Sequence, residues 1–142
     1  MGAKNGGVTK IEWKKSGMEH VNEYKSLIES LKLLACSYYE QELLLPDFVD
    51  VQDEVLNTFY ESFLLLPTLI EGDCMSMRGI AAIVRLNNWI TLAEQDESSM
   101  NLVSFKEGSE WSKVRALAKI ALDELNEGLT LPDLSSISWL PK

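Results

Sequence analysis

Apolar side chains recur at steps of three and four residues in four separate stretches, which is the spacing of an amphipathic α-helix. The four predicted helices cover residues 18–45, 51–67, 76–94 and 109–127. A capping box of Ser16 and Glu19 is expected to begin the first helix, and Pro46 is expected to end it. Pro67 either ends the second helix or opens a short further turn, and Gly128 suits the position just after the fourth.

The remaining stretches show little helical periodicity. Only residues 102–105 and 137–140 have a β-like composition, and no segment of 20 to 50 residues repeats. Residues 1–17 are polar, basic and rich in glycine, which predicts a flexible N-terminal segment, and Met18 could be a second start. Residues 130–142 contain two prolines and predict an irregular C-terminal tail. The predicted fold class is all-α: a single-domain bundle of four main helices with short connections, over residues 18–142.

Length and composition favour an ordinary globular domain in the cytoplasm. The chain has 142 residues, 46% of them apolar and 25% charged, which is enough for a sizeable core. No apolar run reaches the 18 or so residues of a membrane span, and the N-terminus lacks the apolar segment of a secretory signal. We therefore expect no membrane partner, and we expect Cys36 and Cys74 to be buried free thiols in a reducing compartment.

The net charge of −9 is concentrated in one third of the chain. Residues 33–77 contain nine acidic side chains and no Lys or Arg, whereas the rest of the chain has thirteen of each sign. Direct binding of nucleic acid is disfavoured, because contacts to phosphates require basic side chains. A basic protein partner is favoured, because a patch of one sign attracts a partner of the other.

No motif in the sequence selects a catalytic or metal-binding group. Asp47, Asp50 and Asp53 are spaced by three and do not match the alternate ligands of an EF-hand loop. His20 is the only histidine, so a Ser-His or Cys-His pair would depend on it alone. We predict a protein that is not an enzyme and binds no metal or cofactor. An enzyme with a carboxylate pair that counting cannot identify remains an alternative.

The second predicted helix has two different faces. Its apolar face carries Val55, Phe59 and Phe63, which are expected in the core. The predicted partner-binding residues lie on the opposite face and in the preceding turn: Asp47, Asp50, Asp53, Glu54, Asn57, Tyr60 and Glu61. A tyrosine among carboxylates is a typical interface anchor, and the carboxylates would meet Lys or Arg of the partner. The alternative is that these acids only keep the protein soluble.

Two sequence pieces resemble those of a known class of bacterial proteins. They are LPDFVDVQDE (residues 45–54) with the aromatic helix after it, and the W-x-x-V-R-x-L-A pattern of residues 111–118. Over about residues 18–125, the chain resembles all-helical immunity proteins of contact-dependent growth inhibition systems, which are encoded beside polymorphic toxins. The resemblance implies a cytosolic protein that binds a cognate toxin domain, often a nuclease with a basic cleft, and blocks it. The alternative is a cytosolic adaptor or regulatory module that binds a basic protein segment, and an upstream toxin gene would favour immunity.

Overall fold

The computed structural model describes residues 20–135, and this part of the chain is helical without a β-strand. The elements in chain order are α1 (Val21–Ala35), α2 (Tyr38–Leu44), α3 (Val51–Phe63), α4 (Leu66–Glu71), α5 (Met77–Gln95), a 3-10 turn (Glu97–Ser99), α6 (Leu102–Glu107) and α7 (Ser109–Glu124). The all-α prediction is confirmed. The finer prediction of a four-helix bundle is too simple, because three short helices accompany the four long ones in the described range. The predicted flexible segment 1–17, the start at Met18 and the Ser16–Glu19 box lie outside the described residues.

The predicted first helix is divided into α1 and α2, so the prediction of one helix up to residue 45 is wrong. Ser37 opens α2 with a capping box, since its hydroxyl accepts from the Glu40 N–H and its own N–H donates to the Glu40 carboxylate. The fully buried Gln41 donates from Nε2 to the carbonyl oxygens of Leu33 (2.9 Å) and Cys36 (3.2 Å). These bonds satisfy carbonyls at the end of α1 without any glycine or proline to mark the break.

The β-like run 102–105 lies in α6 rather than in a strand. The Asn101 side chain caps α6 by accepting from the N–H of Ser104 at 2.9 Å. Phe105 then packs its ring 5.2 Å from that of Trp111, whose indole N–H donates to the carbonyl oxygen of Ser99 at 2.7 Å. Burial of these two aromatic rings therefore favours a helix over a strand for residues 102–105. The second β-like run, 137–140, lies outside the described range.

The other helix ends lie close to their predicted positions, with two differences. Pro67 opens the short helix α4 rather than ending α3, which was one of the two expected outcomes. The fourth helix ends at Glu124, and Asn126 rather than Gly128 takes the left-handed conformation after it, with φ 59°. The Glu127 N–H then donates to the Leu122 carbonyl oxygen at 2.9 Å, which completes a Schellman motif.

The core lies between the four long helices. Helix α7 packs against α5 and α1, and α3 also packs against α1. Trp111, Phe59 and Phe105 are the largest fully buried side chains. Because one side of α3 contacts α1, its opposite side faces outward.

After α7 the chain has no helix or strand up to residue 135, as predicted for the tail, and residues 136–142 lie outside the described range. The Asp133 carboxylate pairs with Lys25 at 3.3 Å, and its backbone N–H donates to the carboxylate of Glu29 on α1. Leu134 packs against the core, and Glu127 accepts a bond from the Tyr24 hydroxyl at 2.9 Å. The described part of the tail is therefore attached along α1.

Candidate partner-binding surface

Helix α3 presents its apolar side to the core and its acidic side outward. Asp50 is the N-cap, and its carboxylate accepts a hydrogen bond from the N–H of Asp53 at 3.0 Å. Val55 and Phe59 are almost completely buried. At 3.6 residues per turn, residues 50, 53, 54, 57, 60 and 61 fall within an arc of about 120° on the other side. We call these six residues the α3 outer face.

The structure brings the predicted site residues to the same side of the molecule, with differing exposure. Within the α3 outer face four side chains are exposed: Asp53, Asn57, Tyr60 and Glu61. Asp50 and Glu54 are half-buried. Asp47 is exposed in the turn before α3 and lines the same cavity as Asp50. The side chain of Tyr60 is 56% exposed, which leaves much of an aromatic ring available to a partner.

Two cavities border α3. The α3–α5 groove, of about 320 Å³, is lined by Leu56, Asn57, Phe59, Tyr60, Asn87, Ile90, Thr91 and Glu94. The Tyr38 pocket, of about 340 Å³, is lined by Tyr38, Glu42, Pro46, Asp47, Val49, Asp50, Val51, Gln52 and Leu102. Four of the seven predicted residues line these cavities, Asn57 and Tyr60 in the groove and Asp47 and Asp50 in the pocket. The surface therefore has concave regions as well as a convex ridge.

The Tyr38 pocket is acidic, but a cation already lies beside it. It contains the carboxyl groups of Glu42, Asp47 and Asp50. Burial raises the pKa of the Tyr38 phenol, and the nearby charges of Glu42 and Asp50 raise it further. The ammonium group of Lys106 lies 4.7 Å from the centre of the Tyr38 ring, at cation–π distance. This lysine compensates part of the negative potential of the pocket.

Sequence reasoning missed an apolar surface next to the acidic one. The side chains of Tyr39 and Leu43 lie one turn apart on α2 and are 63% and 87% exposed, and Phe48 in the following turn is 50% exposed. Exposed apolar side chains beside a charged region are typical of protein interfaces. Periodicity predicts one continuous helix up to residue 45, so it does not show that Tyr39 and Leu43 share an exposed face of a separate helix.

Sequence reasoning also missed the contribution of α5 to the surface. Asn87, Thr91 and Glu94 line the groove opposite Asn57 and Tyr60. In the sequence they form the polar edge of an amphipathic helix, which is ordinarily assigned to solvent. Only the tertiary structure, in which residues of α3 and α5 line one groove, reveals that this edge faces a second polar edge.

No group of three or more His, Cys, Asp and Glu side chains in residues 20–135 is arranged to hold a metal ion. Cys36 is buried and Cys74 is half-buried, and both are free thiols. Burial, followed by the nearby charge of Glu40, raises the pKa of the Cys36 thiol to about 11, which makes it a poor nucleophile at neutral pH. None of the described helices combines the length and apolar character needed to span a bilayer.

The fold and the site define an all-α protein with an acidic helix face bordered by a groove, a pocket and exposed apolar side chains. Comparisons with protein-family models, with curated proteins and with solved structures find no match for the chain. Its function therefore has to be proposed from its own residues.

Proposed function

We propose that the protein is an immunity protein that binds and neutralises a cognate antibacterial toxin domain. The observation that carries this proposal is the α3 outer face, which presents carboxylates and Tyr60 on one side within a segment that lacks Lys and Arg over residues 33–77. Such a face suits a partner with a basic surface, and the resemblance of residues 45–54 and 111–118 to immunity proteins specifies the class of partner.

The proposed mechanism is occlusion without chemistry. A nuclease toxin requires a basic cleft to bind the phosphates of its substrate. Carboxylates of the α3 outer face would occupy that cleft and exclude the phosphates. Affinity would depend on a few buried anchors, for which Tyr60 and the exposed Leu43 are the candidates, whereas the outer charges would mainly accelerate encounter.

Coexpression tests the proposal directly. The candidate partner is the C-terminal domain encoded by a toxin gene immediately upstream of this gene. Cells that produce this domain alone should stop growing, and cells that also produce the present protein should grow normally. The two purified proteins should form a complex. Growth arrest that persists at equal expression of a folded immunity candidate would show that the protein does not protect against that toxin.

A further inference from the structure

The α3–α5 groove combines three kinds of surface in one small space. Its apolar lining comes from Leu56, Phe59 and Ile90, all of them largely buried. The polar lining consists of two amides, a hydroxyl, a phenol and a single carboxyl group: Asn57, Asn87, Thr91, Tyr60 and Glu94. The groove therefore offers both apolar packing surface and hydrogen-bonding groups, the two features by which a cavity orients a specific side chain or small ligand.

Glu94 has no compensating partner in this groove. It forms no ion pair and no side-chain hydrogen bond with any residue in the range 20–135. Burial raises the pKa of its carboxyl group above the ordinary value of 4.5, and no favourable contact opposes this effect. The side chain of Glu94 is nevertheless exposed, so a group from solvent can reach its carboxylate. A cation placed beside that carboxylate would favour its charged form.

The chain does not supply that cation from the helices that form the groove. Helix α3 has no Lys or Arg, and the two arginines of α5 lie on its other side at 3.6 residues per turn. Arg78 instead pairs with Glu124 of α7 at 2.9 Å, and Arg85 is half a turn away from Glu94 in projection. The Tyr38 pocket differs in this respect, because Lys106 lies beside it.

We propose that the α3–α5 groove receives an arginine side chain of the protein partner, with Glu94 as its counter-ion. The inference rests on the proposed function for the nature of that partner, and it adds α5 to the binding surface. A guanidinium group presents five N–H donors and a flat face. Glu94 and the amide oxygens of Asn57 and Asn87 are acceptors for those donors, and Tyr60 is an aromatic ring on which the flat face can stack.

Two further features suit an arginine. The Thr91 hydroxyl already donates to the backbone carbonyl of Asn87 at 3.0 Å, so its oxygen is left as an acceptor. The apolar lining matches the methylene groups of the side chain, which pack on apolar surface while the charged end stays near polar groups. Glu94 and Tyr60 are the titratable groups among the lining residues, so Glu94 governs the charge of the groove near neutral pH.

An arginine peptide tests the groove without the toxin. The isotope-labelled full chain would be titrated with the capped tripeptide Gly-Arg-Gly and, separately, with the tripeptide in which neutral citrulline replaces arginine. We expect chemical-shift changes at the side-chain amides of Asn57 and Asn87 and at the Glu94 carboxyl carbon. The pKa of Glu94 should fall when the arginine peptide binds, because the cation favours the charged carboxylate.

A matched pair of variants provides the control. Glu94→Gln should weaken binding of the arginine peptide about tenfold, since it removes a charge-assisted contact. Glu107→Gln makes the same chemical change at an exposed position on α6 outside the groove, and it should leave the affinity unchanged. The proposal is overturned if citrulline binds equally well, if Glu94→Gln has no effect, or if the shifts lie outside the groove.

The outcomes for the groove and for immunity are separable. If the arginine peptide binds the groove but coexpression does not protect cells, immunity is wrong and the groove remains an arginine site. If coexpression protects cells but the groove shows no arginine-dependent shifts, the toxin docks elsewhere and the groove proposal is wrong.

Discussion

At the scale of the residue, Asp50 has a structural role as well as a charge. Its carboxylate caps α3 through the Asp53 N–H, and Asn can make the same bond whereas Ala cannot. We predict that Asp50→Ala lowers the free energy of unfolding by about 1 kcal/mol, while Asp50→Asn changes it by a few tenths at most. Urea denaturation of the two variants measures both values. Equal destabilisation by Asn and Ala would show that the charge, not the cap, stabilises the helix.

We expect the ionised carboxylate of Glu94 to lower the free energy of unfolding at neutral pH. Because burial raises its pKa in the folded state, ionisation is less favourable there than in the unfolded chain, so stability is lost as the pH rises through the folded pKa. We predict that Glu94→Gln is more stable than the natural chain at neutral pH and that the difference disappears below pH 4.5. Thermal denaturation at both pH values tests this, with Glu107→Gln as the control that should show no pH-dependent difference.

Single residues differ in how far the sequence predicts their roles. The cap at Asp50 is predictable, because it depends only on the next three residues. The position of Glu94 is not, since periodicity gives the polar edge of a helix but not the neighbour that it faces. Asn126 was missed for a third reason: Gly128 fits the rule for a helix end, but asparagine also tolerates positive φ and the helix ends earlier.

At the scale of the element, the break between α1 and α2 depends on Gln41. We predict that Gln41→Met, which has a similar volume, lowers the free energy of unfolding by about 1 kcal/mol. The variant is destabilised because the carbonyl oxygens of Leu33 and Cys36 lose their hydrogen-bond donor. Part of this loss is offset, because the variant also removes the buried Oε1 of Gln41, which has no hydrogen-bond partner among the described residues. Gln95→Met, at the exposed end of α5, is the control and should be nearly neutral.

Urea denaturation distinguishes this role from simple core packing. Gln41→Glu keeps the size but removes the donor and buries a carboxylate, so it should be more destabilising than Gln41→Met. If the glutamate variant is as stable as the natural chain, the two carbonyl bonds do not hold the break.

Hydropathy could not reveal the break between α1 and α2, because the apolar period continues through residues 31–38 and the interruption is made by side-chain bonds to the backbone. The long helices α5 and α7 were predictable, because no such bond interrupts them.

At the scale of the whole molecule, the fold converts a segment of biased charge into a surface. The apolar period of α3 predicts which of its sides is exposed, and the structure agrees for residues 53, 57, 60 and 61. The neighbours of that surface were beyond sequence reasoning. The groove forms only because α5 lies near α3. The exposed apolar side chains of α2 share a face only because the chain breaks after α1. Both arrangements result from tertiary packing.

The arrangement predicts that the location of the charges, and not their total, controls association with a basic partner. The face variant Asp50→Asn, Asp53→Asn and Glu61→Gln removes three charges and retains a capping residue. The control variant Glu107→Gln, Glu110→Gln and Asp123→Asn removes three charges from α6 and α7, outside both cavities. Both variants have a formal net charge of −6 instead of −9. Stopped-flow mixing with the candidate toxin domain then compares their association rates.

We expect the face variant to associate about tenfold more slowly than the natural chain at low salt, and the control variant to change much less. The difference should shrink at physiological salt, because the screening length is then only about 8 Å and the attraction between the two proteins acts over a shorter distance. Circular dichroism must first show that both variants are folded. Equal slowing by the two variants would mean that long-range net charge attracts the partner, and no slowing by the face variant would place the interface on another side of the molecule.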